Sequence, residues 1–313
     1  MSTTQGLIQV LQDTLDASKS RVISLPQRIW LFGGQLAENS DDPPKSLRDA
    51  FNRECLRRDY PWLQDLSRPE DYPDWLAFSG YEDLLLFERD AGFLSRLIIL
   101  FVESAGAFAE LGAFALDDQL YRKLFVIIPR KHREHPRRQS FLNLGPLKRI
   151  ERSQGDDEFS NICVIEAEKA HELSEIDVQL VFESLDSWLK QAHSSEQFQK
   201  DNPTHRLLLV ADLVDLLQVL SEKHAISAAQ HFGLNIQKEE MRKLGKLLDL
   251  LGLVRLSERG NERYFVSLRA KGSPLIDYDA KSGSRFNRLS FKAKAWEAVN
   301  ADPRLSPLLS AAR

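Results

Sequence analysis

The sequence predicts an α/β protein, a doubly wound parallel sheet followed by a smaller winged-helix-like domain. Three observations carry that reading. Short apolar runs alternate with helical stretches through the first half of the chain. A polar, proline-bearing stretch, SSEQFQKDNPTH at 194–205, interrupts the alternation. Beyond it the pattern changes to three helices and a hairpin.

The expected strands are Arg28–Phe32, Asp74–Phe78, Arg96–Val102, Lys123–Ile128 and Asn161–Ile165. Each is a short, continuous apolar run, as parallel strands covered on both faces require. Between them the spacing predicts helices at Pro44–Arg57, Leu84–Leu94 and Ala107–Asp117, with a last one at Glu172–Gln191. This alternation is that of a flavodoxin-like sheet, in which ligands sit beyond the carboxyl ends of the strands. Two places qualify: Gly33-Gly34 after the first strand, and Glu103-Ser104-Ala105-Gly106 after the third. The spacing is neither GxGxxG nor a phosphate-binding P-loop.

After the linker, Arg206–Lys223 reads as an apolar helix, a second begins near Ser227, and Lys238–Val254 is a third. VRLSE and RYFVSL follow, joined by Arg259-Gly260-Asn261-Glu262, a hairpin with a glycine turn. The expected boundaries are therefore 1–193 for the α/β domain, 194–205 for the linker, 206–270 for the winged helix and 271–313 for a basic tail.

The chain has 313 residues, enough for two cores, and a formal net charge of −4. Any nucleic-acid contact must come from local patches. The N-terminal stretch contains acidic residues and lacks a long apolar run, and no run approaches a membrane span, so a cytoplasmic protein without membrane contact is expected. Cys55 and Cys163 lack metal or redox spacing and read as reduced and structural. His132 and His135 stand three apart with no further ligand set, so no metal is expected.

Between Ser104 and Leu116 one residue is neither small nor apolar, Glu110. A carboxylate near a helix N-terminus has an electrostatic excuse. Its commonest form, a capping box, needs a hydroxyl three residues earlier, where Ala107 stands. Pro129–Arg138 carries Arg130, Lys131, Arg133, Arg137 and Arg138 against Glu134, which reads equally as a solvated loop or as a phosphate or nucleic-acid contact. The third helix after the linker mixes Lys238, Arg242, Lys243 and Lys246 with Glu239, Glu240 and Asp249, a weak pattern for reading DNA.

WLFGG, LIILFVESAGAFAELGAF and SFLNLGPLKRI, in that order, resemble the toxic effectors encoded beside reverse transcriptases in one class of bacterial retrons. Those effectors are similar in fold to nucleoside 2-deoxyribosyltransferases and, through them, to TIR-type NAD-cleaving domains. The resemblance covers about 28–150. It implies an N-glycosidase that takes NAD as substrate, with no separate cofactor. It implies Glu110 as the catalytic carboxylate and places Gly33, Gly34, Glu88, Glu103 and Ser104 at matching positions, with Asn143, Gly145 and Pro146 near the crevice rim. On the chemistry of N-glycosides, Glu103 is then the expected acid for a neutral leaving base, and Glu88 and Ser104 hold ribose hydroxyls; Gly106 lines the same loop. The departures are Ala107 and Ala109, where hydroxyls are common, and Arg96, where an acid is common. The implied partners are a retron reverse transcriptase with its multicopy single-stranded DNA and noncoding RNA, and a homo-oligomer or filament. A non-catalytic nucleotide sensor with a DNA-binding winged helix is the rival reading, and an assembly protein a third.

Overall fold

The computed structural model describes residues 3–72, 80–134, 137–152, 160–190, 195–268, 274–281 and 286–310. The strand expected at 74–78 lies outside them, as do His135, Arg269, Lys271 and Arg285. The chain forms two compact units, one of residues 26–75 and 83–192, the other of 1–25, 76–82 and 193–313. Helix α1 (Thr3–Thr14) and strand β1 (Leu15–Val22) open the chain and belong to the second unit.

The first unit runs β2 (Ile29–Phe32), α2 (Leu47–Cys55), β3 (Leu66–Ser67), α3 (Leu84–Phe93), β4 (Leu97–Phe101) and α4 (Ala105–Leu116). It continues through β5 (Leu124–Pro129), the short α5 (Lys148–Arg152), β6 (Ile162–Ile165) and α6 (Glu175–Lys190). The five strands pair in parallel in the order β3-β2-β4-β5-β6. This is the flavodoxin-like order, and its direction reverses between β2 and β4. β3 was not legible in the sequence because it is two residues long.

Strands β2, β4 and β5 are buried at every position, which explains their unbroken apolar runs. Alternate side chains of β2 face opposite layers. Ile29 and Leu31 join a cluster with Phe51 of α2 and Phe182 of α6, whose rings lie 5.0 Å apart. Trp30 and Phe32 face the other way. The Trp30 indole N–H donates to the Ala91 carbonyl of α3, and the Phe32 ring meets Phe114 of α4 edge-on at 5.6 Å. Cys55 and Cys163 are buried and unbridged, and burial pushes both thiols up to about 12, so neither is a nucleophile at neutral pH.

The second unit continues with β7 (Glu196–Gln197), α7 (Pro203–Leu217), β8 (Val219–Ser221), α8 (Glu222–His231) and α9 (Lys238–Leu250). After these come β9 (Val254–Arg259), β10 (Glu262–Ser267), β11 (Ile276–Ala280), α10 (Arg288–Ala301) and α11 (Ser306–Ser310). One antiparallel sheet has the order β8-β10-β9, with the expected hairpin between β9 and β10. The helix expected to reach Lys223 stops at Leu217, where Gln218 turns to a positive φ and β8 leaves to pair with β10.

The boundaries read from the sequence differ from this division in three places. Residues 1–25 pack with the second unit, because β1 pairs with β11 and β7. Part of the expected linker is β7, and His205, almost fully buried in α7, accepts the Gln199 N–H. The expected basic tail is structured. Arg288 of α10 pairs with buried Asp212 and Asp215, and Lys292 holds Asp215 at 2.8 Å. Its charges therefore neutralise two buried carboxylates of α7. Loss of one partner from a buried network leaves uncompensated charge, so Arg288→Ala is expected to cost about 3–5 kcal/mol, read as a lower denaturant midpoint for this unit.

Candidate active site

The site forms where the strand order reverses, from the turn after β2, the start of α2, the turn after β3 and the β4–α4 connection. Gly33 has a φ of +145°, and a Cβ there would lie 2.8 Å from the Cβ of Phe101. At Gly34 a Cβ would meet Ser46 at 2.6 Å and the Glu103 carboxylate at 3.0 Å. Only glycines let the two strand ends approach this closely.

Glu103 occupies the gap between them. Its carboxylate accepts the backbone N–H groups of Gly34 at 3.1 Å, Leu47 at 2.6 Å and Arg48 at 2.9 Å. Leu47 and Arg48 are the first two residues of α2, whose N-cap is Ser46. Glu103 thus meets the partial positive charge of that helix terminus. The expected proton donor is bound to the protein's own backbone as an acceptor. Gly33 and Gly34 serve the same junction.

Arg48, 3% exposed, reaches from α2 in the other direction. It donates to the Gly34 carbonyl at 3.2 Å and makes a bidentate pair with Glu70 at 2.9 and 2.7 Å. Burial pushes the Glu70 carboxyl up, but the hydrogen bonds and charge of Arg48 outweigh that and leave it below its ordinary value. This pair is not legible from the sequence, because β3 and its following turn lack a recognisable pattern.

Glu110 lies on the second turn of α4. The cap of that helix is Ser104, whose hydroxyl accepts the Ala107 N–H at 3.2 Å. The capping hydroxyl sought three residues before Glu110 is therefore present one turn earlier. Glu110 is also too far along the helix for the terminal dipole to explain it. It follows buried Ala107 and precedes Leu111 and Phe114 in the stripe that faces the sheet. Phe114 touches Phe32, the last residue of β2, so the carboxylate one turn before it stands over the end of that strand. Its Oε2 is buried and meets no hydrogen-bond partner among the described residues. Burial raises its pKa to about 7, with nearby Arg48 lowering it and Glu70 raising it. The Arg48 Nε is likewise buried without a partner among the described residues. Two orphaned polar atoms, one acceptor and one donor, thus occur in the same crevice.

The other expected site residues divide. Gly106 is exposed beside the cap, where a Cβ would lie in ordinary contact with the Ser104 hydroxyl at 3.9 Å. Glu88 is buried on α3. Asn143 is buried inside the loop after β5. Its amide donates to the carbonyls of His132 and Arg137, and its oxygen accepts from Arg133 at 2.6 Å. It organises that loop from within. The loop's charges are mostly met: Arg130 pairs with Glu166, Lys131 with Glu168 and Arg133 with Glu151. Arg137 donates to the Lys131 carbonyl and Arg138 to that of Arg133. In the second unit, Arg242 and Lys238 of α9 face Glu222, and Lys243 faces Glu82.

Residues 44–256 match the family described as the STM3845 retron effector protein. The chain belongs to this retron effector family. The matched residues include Arg48, Glu70, Glu103 and Glu110. An 85-residue stretch is 41% identical to an Escherichia coli protein named "Retron Ec86 putative ribosyltransferase/DNA-binding protein", covering 27% of each chain. A 126-residue stretch is 35% identical to the correspondingly named protein of retron Ec73 from the same organism, covering 40% of this chain and 38% of that one. The effector therefore matches well under half the length of either relative. No helix among its described residues is long and apolar enough to cross a membrane.

The two glutamates have opposite consequences for stability. Glu103→Ala strands three backbone N–H groups and is expected to destabilise by about 1–3 kcal/mol. For Glu110 the neutral form is favoured in the fold, so its burial costs nothing below the ordinary value of 4.5. The cost grows as pH rises and is complete above about 7. Glu110→Gln is accordingly expected to stabilise by about 1–3 kcal/mol at pH 8 and to leave the melting temperature nearly unchanged at pH 4.5. Melting curves of both variants across that range check the signs.

Proposed function

We propose that this retron effector is an N-glycosidase that cleaves the nicotinamide–ribose bond of NAD or of a related nucleotide, as the toxic arm of an antiphage defence system. The observation that carries the reading is the buried Oε2 of Glu110, which meets no hydrogen-bond partner among the described residues. The names of the relatives, which include ribosyltransferase, point the same way.

Breaking an N-glycosidic bond builds positive charge on C1′ and O4′ of the ribose. The C1′–N electron pair leaves with the base. An ionised Glu110 beside C1′ either stabilises that charge or bonds to it as an ester, and water then supplies the hydroxyl and releases a proton. A neutral base would need a proton from a general acid. Glu103, accepting three backbone N–H groups, is poorly placed to give one. A leaving group that is already cationic needs none, because the departing electron pair neutralises its ring. That favours a nicotinamide nucleotide over an adenine one. The orphaned Nε–H of Arg48 suits a ribose hydroxyl that also donates to Glu110.

We read α7, α8 and α9 with the β9–β10 hairpin as a winged-helix-like module. We assign it to docking on a reverse transcriptase and its multicopy DNA, since Lys238, Arg242 and Lys243 of α9 are engaged by Glu222 and Glu82. A partner that masks the site would keep a lethal activity in check.

Glu110→Gln is expected to abolish nicotinamide release by the purified protein, and toxicity with it. Unchanged release from that variant would refute the assignment; tight nucleotide binding without any turnover in the native protein would make it a sensor. Because the ionised form acts, kcat/KM should rise with pH through about 7 and level off above it. Glu70 raises the Glu110 pKa and holds Arg48, so Glu70→Gln is expected to move this limb to lower pH, as a pH–rate profile would show.

A further inference from the structure

The loop after β5 and the turn into α5 enclose a cavity of about 410 Å3 that the mechanism above leaves unused. Arg130, Arg133, Arg138 and Lys148 line it against Glu134 and Glu151. Val164 of β6 forms part of its wall, so it lies at the carboxyl ends of β5 and β6, the side of the sheet on which such folds bind ligands. The loop around it is held by the buried Asn143 amide, which fixes Arg133 at 2.6 Å. His132, next to Arg133, packs edge-on against Phe108 at 5.4 Å. Phe108 is two residues before Glu110 on α4, so one loop runs from the cavity to the first turns of the catalytic helix.

The cations of the cavity are not equivalent. Arg130 and Arg133 have carboxylate partners in Glu166 and Glu151. Arg138 uses its Nε–H on the Arg133 carbonyl at 3.2 Å, which directs its terminal nitrogens elsewhere. Among the described residues no carboxylate pairs with Arg138 or with Lys148. Two cations thus lack acidic partners among the described residues, whose part of the wall has four positive side chains against two negative ones. That balance suits a dianion. An exposed pair such as Arg130–Glu166 contributes only about 0–1 kcal/mol, so Arg130 can turn to an incoming phosphate at little cost. A nucleic-acid strand needs a continuous basic track, and Glu166 and Glu168 interrupt this one beside Arg130 and Lys131.

We infer that this cavity binds the phosphate groups of the substrate, so that the effector selects a nucleoside diphosphate or dinucleotide over a bare nucleoside. The inference rests on the N-glycosidase reading for the identity of the substrate, but the anion site can be tested without turnover. Inorganic pyrophosphate is titrated calorimetrically into the full-length protein, into Glu110→Gln and into the double variant Arg138→Ala/Lys148→Ala. Both side chains of the double variant are exposed, so its fold is retained. The native protein and Glu110→Gln are expected to bind pyrophosphate equally, and the double variant about tenfold more weakly or worse. In the cleavage assay the double variant should raise KM for the nucleotide by a similar factor and leave turnover of the matching unphosphorylated nucleoside unchanged. No binding by the native protein at millimolar pyrophosphate would overturn the inference, as would equal binding by the double variant. A single-stranded oligonucleotide that binds more tightly than pyrophosphate, and is lost in the same double variant, would overturn it too. Pyrophosphate binding without cleavage of any glycosidic bond would remove the reading of Glu110 and leave the anion site standing.

Discussion

Three backbone N–H groups converge on the carboxylate of Glu103, and the rest of the candidate site depends on that junction. One side chain at the end of β4 closes the turn after β2 and the start of α2. The parallel strand order makes this possible, because it sets the carboxyl ends of β2 and β4 side by side with the chain departing in different directions. Glycines at 33 and 34 are the corresponding requirement on the other strand, since a side chain at either position would occupy the space of Phe101, Ser46 or Glu103. The helix terminus gains a counter-charge and the carboxylate is held as an acceptor of backbone N–H groups.

With Glu103 committed to backbone N–H groups and Glu70 to Arg48, the third acid of the site has a different environment. Glu110 is carried on the apolar stripe of α4, so folding the helix onto the sheet necessarily drags its carboxylate out of water. No donor among the described residues compensates it at Oε2, and Arg48, whose charge acts on it, spends two hydrogen bonds on Glu70. The result is a group poised near neutrality. Strained or under-satisfied polar atoms of this kind cluster at functional sites, where stability is given up for reactivity. The same logic distinguishes Glu110 from the buried acids of the second unit. Asp212 and Asp215 are more deeply buried than Glu110, yet each meets a guanidinium or an ammonium, and they hold α10 against α7.

The loop after β5 shows why a basic run in a sequence is a poor guide to a basic surface. Its five cations stand within ten residues, but Glu151, Glu166 and Glu168 come from segments well downstream. Asn143 is another such case. Its position in a glycine–proline loop suggested a ligand contact, whereas its amide is spent on the carbonyls of the same loop.

The sequence by itself determined the class of fold, the positions of β2, β4, β5 and β6, the isolation of Glu110 among small and apolar residues, and the retron effector resemblance, which the family match supports. Those features are local: an apolar run, a helical period or a motif is complete within a few neighbours. What only the tertiary structure decided is how the charged side chains pair. The occupation of Glu103, the Arg48–Glu70 pair, the neutralisation of Arg288 and the unmatched Arg138 and Lys148 all involve partners from different elements, or the lack of them. The placement of β1 against β11 is of the same kind, since strand pairing joins segments some 260 residues apart. Hydrogen bonds and ion pairs act over a few ångströms, and folding alone sets which residues come that close.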